Sequence, residues 1–245
     1  MQTFPIPAPS FDGKSRSVAA ANAFEWLKQG WSLFVGNPGM WILLTVILIA
    51  LTLGLTIIPL IGALAVNLIA PVLAAGLMRV CQRAENGEAL DFADLLTGFR
   101  HNTNHLIMLG VFFLVGMLLI FVVVTVLAGG SVASTLMPGS PGDVGLALGG
   151  LLLALFLSSA LMLPLTMAFW FAPALVFFNN MTAADALRAS FGACLKNIPA
   201  FLVYGLIVTV MLFFAALPAG LGLLVLLPVI AGSAYASYRD IFVAN

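Results

Sequence analysis

His101 and His105 stand four residues apart, so on a helix both imidazoles would share one face, a spacing that can suit a metal ion. Cys81 and Cys194 could complete a His2Cys2 set only if three separate segments converged. No Glu stands beside the histidines in an H-E-x-x-H arrangement, and Asn102 and Asn104 bring ordinary cap chemistry to the same stretch. Interfacial histidines and small apolar thiols account for these four residues, so no metal site is expected. Glu85, Glu88, Asp91 and Asp94 are the one acidic cluster, and a solvated loop leading into a helix cap explains it without catalysis. Nothing in the chain resembles a nucleophile elbow, a phosphate loop or a paired-carboxylate site. The expectation is a protein with no catalytic residue and no cofactor, and not an enzyme.

The composition says what must position these residues. The chain has 245 residues, 62% of them hydrophobic and 7% charged, with a mean hydropathy of +1.17. A soluble domain carries about 25% charged residues. Apolar stretches of about 20 residues, the length needed to cross a bilayer as helix, recur along the sequence. They predict an all-α polytopic membrane protein: six transmembrane helices arranged as three hairpins, each preceded by a cytoplasmic amphipathic surface helix. Residues 1–21 read as a polar N-terminal tail and not a signal peptide, since no apolar core with a cleavage site follows. Residues 22–245 read as a single domain of repeat-like units, 22–83, 91–178 and 182–241.

The first unit sets the pattern. Phe24, Leu27, Trp31 and Phe34 recur at helical spacing and predict an interfacial helix that leans on the bundle because Gly30 weakens it. Asn37-Pro38 stops it, and Trp41 marks the water boundary of the first span, Met40–Leu60. The second span is Ile61–Arg79. A second surface helix follows Asp91, with Phe92, Leu95, Leu96 and Phe99 as its apolar stripe, and the third span is Leu106–Leu127. Ala128–Val144 reads as a loop, with Gly129-Gly130 and Gly149-Gly150 as turn residues in or beside it. The fourth span, from Gly145 to Phe178, is too long for one straight crossing and should kink or break at Pro164 and Pro173. Thr182 opens the third surface helix, with Leu187, Phe191, Cys194 and Leu195 on one face. Spans five and six are Pro199–Leu217 and Leu221–Tyr238.

With six spans, all nine Lys and Arg residues fall on one side together with both termini, and the positive-inside rule makes that side the cytoplasm. Both cysteines then stay reduced. No ionisable residue lies in the middle of a span, and Asn67, Thr125, Ser158, Ser159, Thr166 and Thr209 are the polar groups at depth. Their ordinary use is bonding across helices or to their own backbone carbonyls. In the even-numbered spans Pro71, Pro164 and Pro228 are each followed closely by Ala or Gly, which suggests a threefold repeat. Net charge is zero, and nucleic acid is not an expected partner.

Trp31-Ser32-Leu33-Phe34-Val35-Gly36-Asn37-Pro38, Gly76-Leu77-Met78 with Cys81, Gly87, Leu95-Leu96 and Gly98-Phe99-Arg100 resemble the pattern of an uncharacterised family of proteobacterial six-span inner-membrane proteins. The resemblance implies a bacterial inner-membrane location. It carries no activity, substrate or catalytic residue.

Two functions fit this reading. The first is a non-enzymatic scaffold or assembly protein in which Phe24, Trp31, Trp41, Phe99 and Phe191 contact membrane lipids, another membrane protein or a second copy. The alternative is a carrier of a lipid-like or uncharged small molecule through a polar groove at Asn67, Pro71, Pro164 and Pro228.

Overall fold

The computed structural model describes residues 14–136 and 144–243, and every regular element among them is helical. Asn37-Pro38 separates α1 (Asn22–Gly36) from α2 (Pro38–Thr56), with the proline in the first turn of α2, where a missing N–H breaks no helical bond. A tight turn leads to α3 (Ile61–Glu85). The second surface segment is a 3-10 helix, Phe92–Phe99; Asp91 caps it and Asp94 reaches back to close the capping box. Then come α4 (Thr103–Leu136), α5 (Val144–Trp170), α6 (Ala172–Asn179), α7 (Ala183–Lys196), α8 (Ile198–Ala216) and α9 (Leu223–Phe242).

Among the described residues, five segments are long and apolar enough to cross a membrane: Pro38–Thr56, Ile61–Glu85, Thr103–Gly129, Leu148–Asn179 and Ile198–Ala216. Their large side chains, among them Leu53, Leu118, Phe121, Leu152, Phe156, Leu202 and Phe213, point away from the protein. Only hydrocarbon can solvate so much outward apolar surface, and the chain is an integral membrane protein. The sixth expected span is the helix α9, but it is not among these five. Ser233, Tyr235, Ser237, Tyr238, Arg239 and Asp240 make its second half polar, and that half is largely buried in the protein.

Two boundaries differ from expectation. The stretch read as a loop from Ala128 is helical as far as Leu136, and Gly149-Gly150 lie inside α5. A helix in lipid has no water to solvate an opened backbone, so it runs on through glycine. Residues 137–143 of that loop lie outside the described residues. The fourth span breaks at Phe171, and Pro164 stays within α5 while Pro173 falls in the first turn of α6.

The three surface segments share one mode of packing. The 3-10 helix lies on α3, α7 lies on α5, and α1 lies on α9. The approach is close enough to require small residues. A Cβ on Gly98 would fall 2.3 Å from the Val72 carbonyl oxygen, and one on Gly30 would fall 2.3 Å from the Val229 carbonyl oxygen. Val72 and Val229 each directly follow a helical proline, Pro71 and Pro228, so the two contacts occupy equivalent positions. On α5 the equivalent role passes to Ser190 of α7, whose hydroxyl donates to the Met167 carbonyl at 2.8 Å and accepts from Phe171 N–H at 3.0 Å.

This packing corrects the stripes expected for these helices. The buried face of α1 is Ala23, Trp26, Gly30 and Phe34, with Phe24 and Trp31 turned outward. In α7 it is Ala183, Ala186, Ser190, Ala193 and Cys194, while Leu187 and Phe191 are half-buried and Leu195 is exposed. Leu95 and Gly98 are the buried residues of the second surface segment's apolar side; Phe92, Leu96 and Phe99 are exposed. Small residues permit backbone approach, and large ones lose nothing by facing lipid.

One turn stores strain. Leu60 has φ 63° and ψ −60°, and Ile61 N–H donates to the Pro59 carbonyl at 2.7 Å, a γ-turn of the rare, strained kind. Its side chain is exposed, so removing it loses no packing. Leu60→Gly is expected to stabilise the protein by about 0.5–1 kcal/mol, the relieved strain less the added freedom of the unfolded chain. A fall in the thermal midpoint would contradict it.

Candidate functional site

The candidate metal ligands do not meet. His101 Nε2 lies 3.1 Å from Asn180 Oδ1 with its ring edge-on to Phe177, and His105 is exposed. Cys81 and Cys194 are buried free thiols; Cys194 Sγ donates to the Met167 carbonyl, and burial pushes its pKa up to about 12. Among the described residues no three His, Cys, Asp or Glu side chains are grouped to hold a metal.

Four of the six polar groups named at membrane depth turn back on their own helices. Asn67 Nδ2 donates to Ala63 O, Ser159 Oγ to Leu155 O, Thr166 Oγ1 to Met162 O and Thr209 Oγ1 to Gly205 O, all at 2.7–2.9 Å. Pro71 and Pro228 are buried and Pro164 is exposed. The carbonyl that Pro71 leaves without its helical donor, Asn67 O, meets Gly110 of α4, whose Cβ position would lie 2.8 Å away. Phe24 and Trp31 are exposed, Phe99 is exposed and Phe191 half-buried. Trp41 is 1% exposed, which corrects the expectation of a lipid contact there: its indole N–H donates to the Leu33 carbonyl at 2.9 Å and ties α2 back to α1.

The polar groups gather instead at one end of the bundle, around a cavity of about 1080 Å³. Its walls are α1 with Asn37 after it, Ala84, Glu85, Gly87, Glu88, Ala89 and Leu90, and the last turns of α9, and Arg16 also lines it. Two charge clusters brace it. Asp240 pairs with Arg16 and accepts from Asn22 Nδ2 and Trp26 Nε1, each at 2.8 Å. Burial opposes the ionisation of Asp240, but those hydrogen bonds together with the Arg16 charge outweigh it and hold the carboxyl below its ordinary value. Glu85 pairs with Arg239 and accepts from Tyr235 OH at 3.0 Å, fastening α3 to α9. Behind the loop, Arg83 reaches Asp94 at 2.9 Å and Glu88 at 3.1 Å.

The N-terminal stretch taken as a polar tail is part of this end from Ser15 onward. Arg16 N–H donates to the Ile241 carbonyl at 3.0 Å. Asn197, 1% exposed, accepts from Val18 N–H at 2.8 Å and donates to the carbonyls of Arg16 and Ala193. Lys196 Nζ donates to the Ser15 carbonyl. The N-terminal strap, the start of α8 and the end of α9 therefore lie together. Tyr238 OH donates to Asn179 Oδ1 at 2.6 Å and joins α9 to the end of α6, and Asn102 Nδ2 donates to Asn180 Oδ1 at 2.7 Å and joins the start of α4 to the same end of α6. Sequence reasoning did not find these clusters, because Arg16 and Asp240 are joined only by the fold and no local spacing links them.

Residues 57–141 match a family described as predicted integral membrane protein (DUF2189). Over 227 residues the chain is 31% identical to a probable inner membrane protein of Burkholderia thailandensis, an alignment that takes in 89% of this chain and 82% of the relative. No solved structure matches it. The sequence likeness to that relative, the family match across α3 and α4, and the outward apolar helices agree: the chain belongs to the DUF2189 family of integral membrane proteins.

Proposed function

We propose that the chain is a non-enzymatic inner-membrane interaction protein, a scaffold or assembly factor that works through the polar end of its bundle. In this reading α9 is the sixth crossing. The strap at Arg16 bonded to Ile241 supports it, since termini on one side require an even number of spans. The Lys and Arg residues, the paired carboxylates and the cleft then lie in the cytoplasm.

The observation that carries the reading is the contrast between the two regions of the protein. Asn67, Ser159, Thr166 and Thr209 at depth are spent on their own helices, whereas α1, a wall of the polar cleft, turns Phe24 and Trp31 outward, and the 3-10 helix turns Phe92 and Phe99 outward. Such a surface suits contact with lipid headgroups or with another membrane protein.

Native mass spectrometry of the protein from its own membrane tests the proposal. A protein partner or homo-oligomer at fixed stoichiometry is expected, and changing Phe24, Trp31, Phe99 and Phe191 to Ser is expected to release it while the protein stays folded. Unchanged partners and membrane behaviour in that variant would end the scaffold reading. A bare protomer holding one recurrent small molecule would replace it with a carrier.

A further inference from the structure

The helix α1 has three distinct faces. One is buried against α9, and one is the outward row Phe24, Lys28, Trp31 and Val35. The third, Glu25, Gln29, Ser32 and Gly36, follows the same i, i+4, i+7, i+11 spacing and lines the cleft. Gln29 and Ser32 have no side-chain hydrogen-bond partner among the described residues, although exposed polar groups in a row could pair readily with a ligand. Across the cleft, Ala89 and Leu90 belong to an irregular stretch and their backbone N–H groups donate to no described group. The two walls thus offer free hydrogen-bonding groups to whatever lies between them.

We propose that this cleft docks an extended, basic segment of a partner protein between α1 and residues 86–90. The proposal deepens the interaction reading above and rests on it. Shape is the first reason. From Asn22 to Gly36 the lining runs along α1 for about 21 Å, the length of roughly six residues of extended chain. A compact amine would leave most of that length unfilled. The free backbone of Ala89 and Leu90 matches the way an extended segment adds its own main-chain hydrogen bonds to an unpaired edge.

Charge is the second reason. The lining holds four carboxylates, Glu25, Glu85, Glu88 and Asp240, against the guanidiniums of Arg16 and Arg239. Arg16 and Arg239 are consumed by Asp240 and Glu85, which leaves Glu25 and Glu88 to set the field. Glu25 meets only Lys28, at 3.8 Å, while Glu88 pairs with Arg83 at 3.1 Å, a guanidinium it shares with Asp94, and accepts from Asn86 Nδ2 at 3.0 Å, so Glu25 is the less neutralised of the two. The chain's own first 13 residues contain no Lys or Arg, so they do not match this charge.

The test uses the full-length protein in nanodiscs of zwitterionic lipid and a fluorescent peptide of alternating arginine and serine, about eight residues long. Its glutamate counterpart is the control, and binding is read by anisotropy. The basic peptide should bind and the acidic one should not. Glu25→Gln combined with Glu88→Gln should weaken binding about tenfold, the sum of two exposed charge contacts. Gln29→Ala with Ser32→Ala should weaken it without changing its salt dependence, whereas Arg188→Gln, on α7 and outside the cleft lining, should leave it unchanged. Equal binding of both peptides, or no effect of the charge variant in protein with an unaltered melting midpoint, overturns the proposal. So does a photo-crosslinker at Gln29 that captures residues 1–13 of its own chain and excludes the peptide. Loss of a co-purifying partner on changing Phe24 and Trp31, but not on changing Glu25 and Glu88, would overturn the docking site while leaving the scaffold reading intact.

Discussion

Gly30→Val is expected to prise α1 from α9 and destabilise the protein by about 3 kcal/mol, the upper range for overpacking a closed contact. The new Cβ would lie 2.3 Å from the Val229 carbonyl oxygen and 2.7 Å from Ser233 N, and backbone atoms cannot turn aside as a side chain would. Gly232 adds to the constraint, since its own Cβ position is 2.9 Å from the Gly30 Cα. Helix α1 must then move, which draws Trp26 away from Asp240, Phe201 and Tyr204 and opens one wall of the cleft. Thermal unfolding in detergent would show a markedly lowered midpoint. Gly36→Ala, where nothing lies within 4 Å, is the matched control and should be neutral or slightly stabilising. Equal midpoints for the two variants would mean that α1 does not need its contact with α9.

Asp240→Ala should cost about 2 kcal/mol, because it leaves Asn22, the indole of Trp26 and the Arg16 guanidinium without their common acceptor. The first sign would be a red shift of tryptophan emission and faster proteolysis after Arg16 as the strap loosens. The same group gives the wild type a pH dependence. The folded protein lowers the pKa of Asp240 from its ordinary 3.8, so the stabilisation is fully present above that value. It is lost as pH falls through the folded value, where protonation removes the charge that holds Arg16. Asp240→Asn should flatten this acid limb relative to wild type. An identical acid transition in both proteins would show that other carboxylates control it.

The value of these two sites follows from how differently they could be read in advance. Asn37-Pro38, Asp91 with Asp94, and Thr182 with Asp185 act over three or four residues, and their geometry is as the local sequence requires. The apolar spans were legible for the same reason: a helix long enough to cross lipid must be written continuously. The faces of α1 and α7 were not. A regular row of large apolar residues ordinarily marks the side turned toward a core, yet here Phe24, Trp31 and Leu195 face outward and Ala23, Gly30 and Ala186 face in. In a protein surrounded by hydrocarbon, burial of large groups gives no preference between lipid and protein, and closeness of approach decides.

Composition and periodicity by themselves determined that this chain is helical, embedded in a membrane and divided by Asn-Pro and Gly/Pro turns, because those properties depend on residues that are neighbours in sequence. The tertiary structure decided which small residues form the seams, that the N-terminal strap is fastened by Asn197 and Ile241, and that a polar cleft lies between α1, residues 84–90 and α9. Those features join residues as distant as Arg16 and Asp240, and their energies arise from contacts that exist only when the helices have already met.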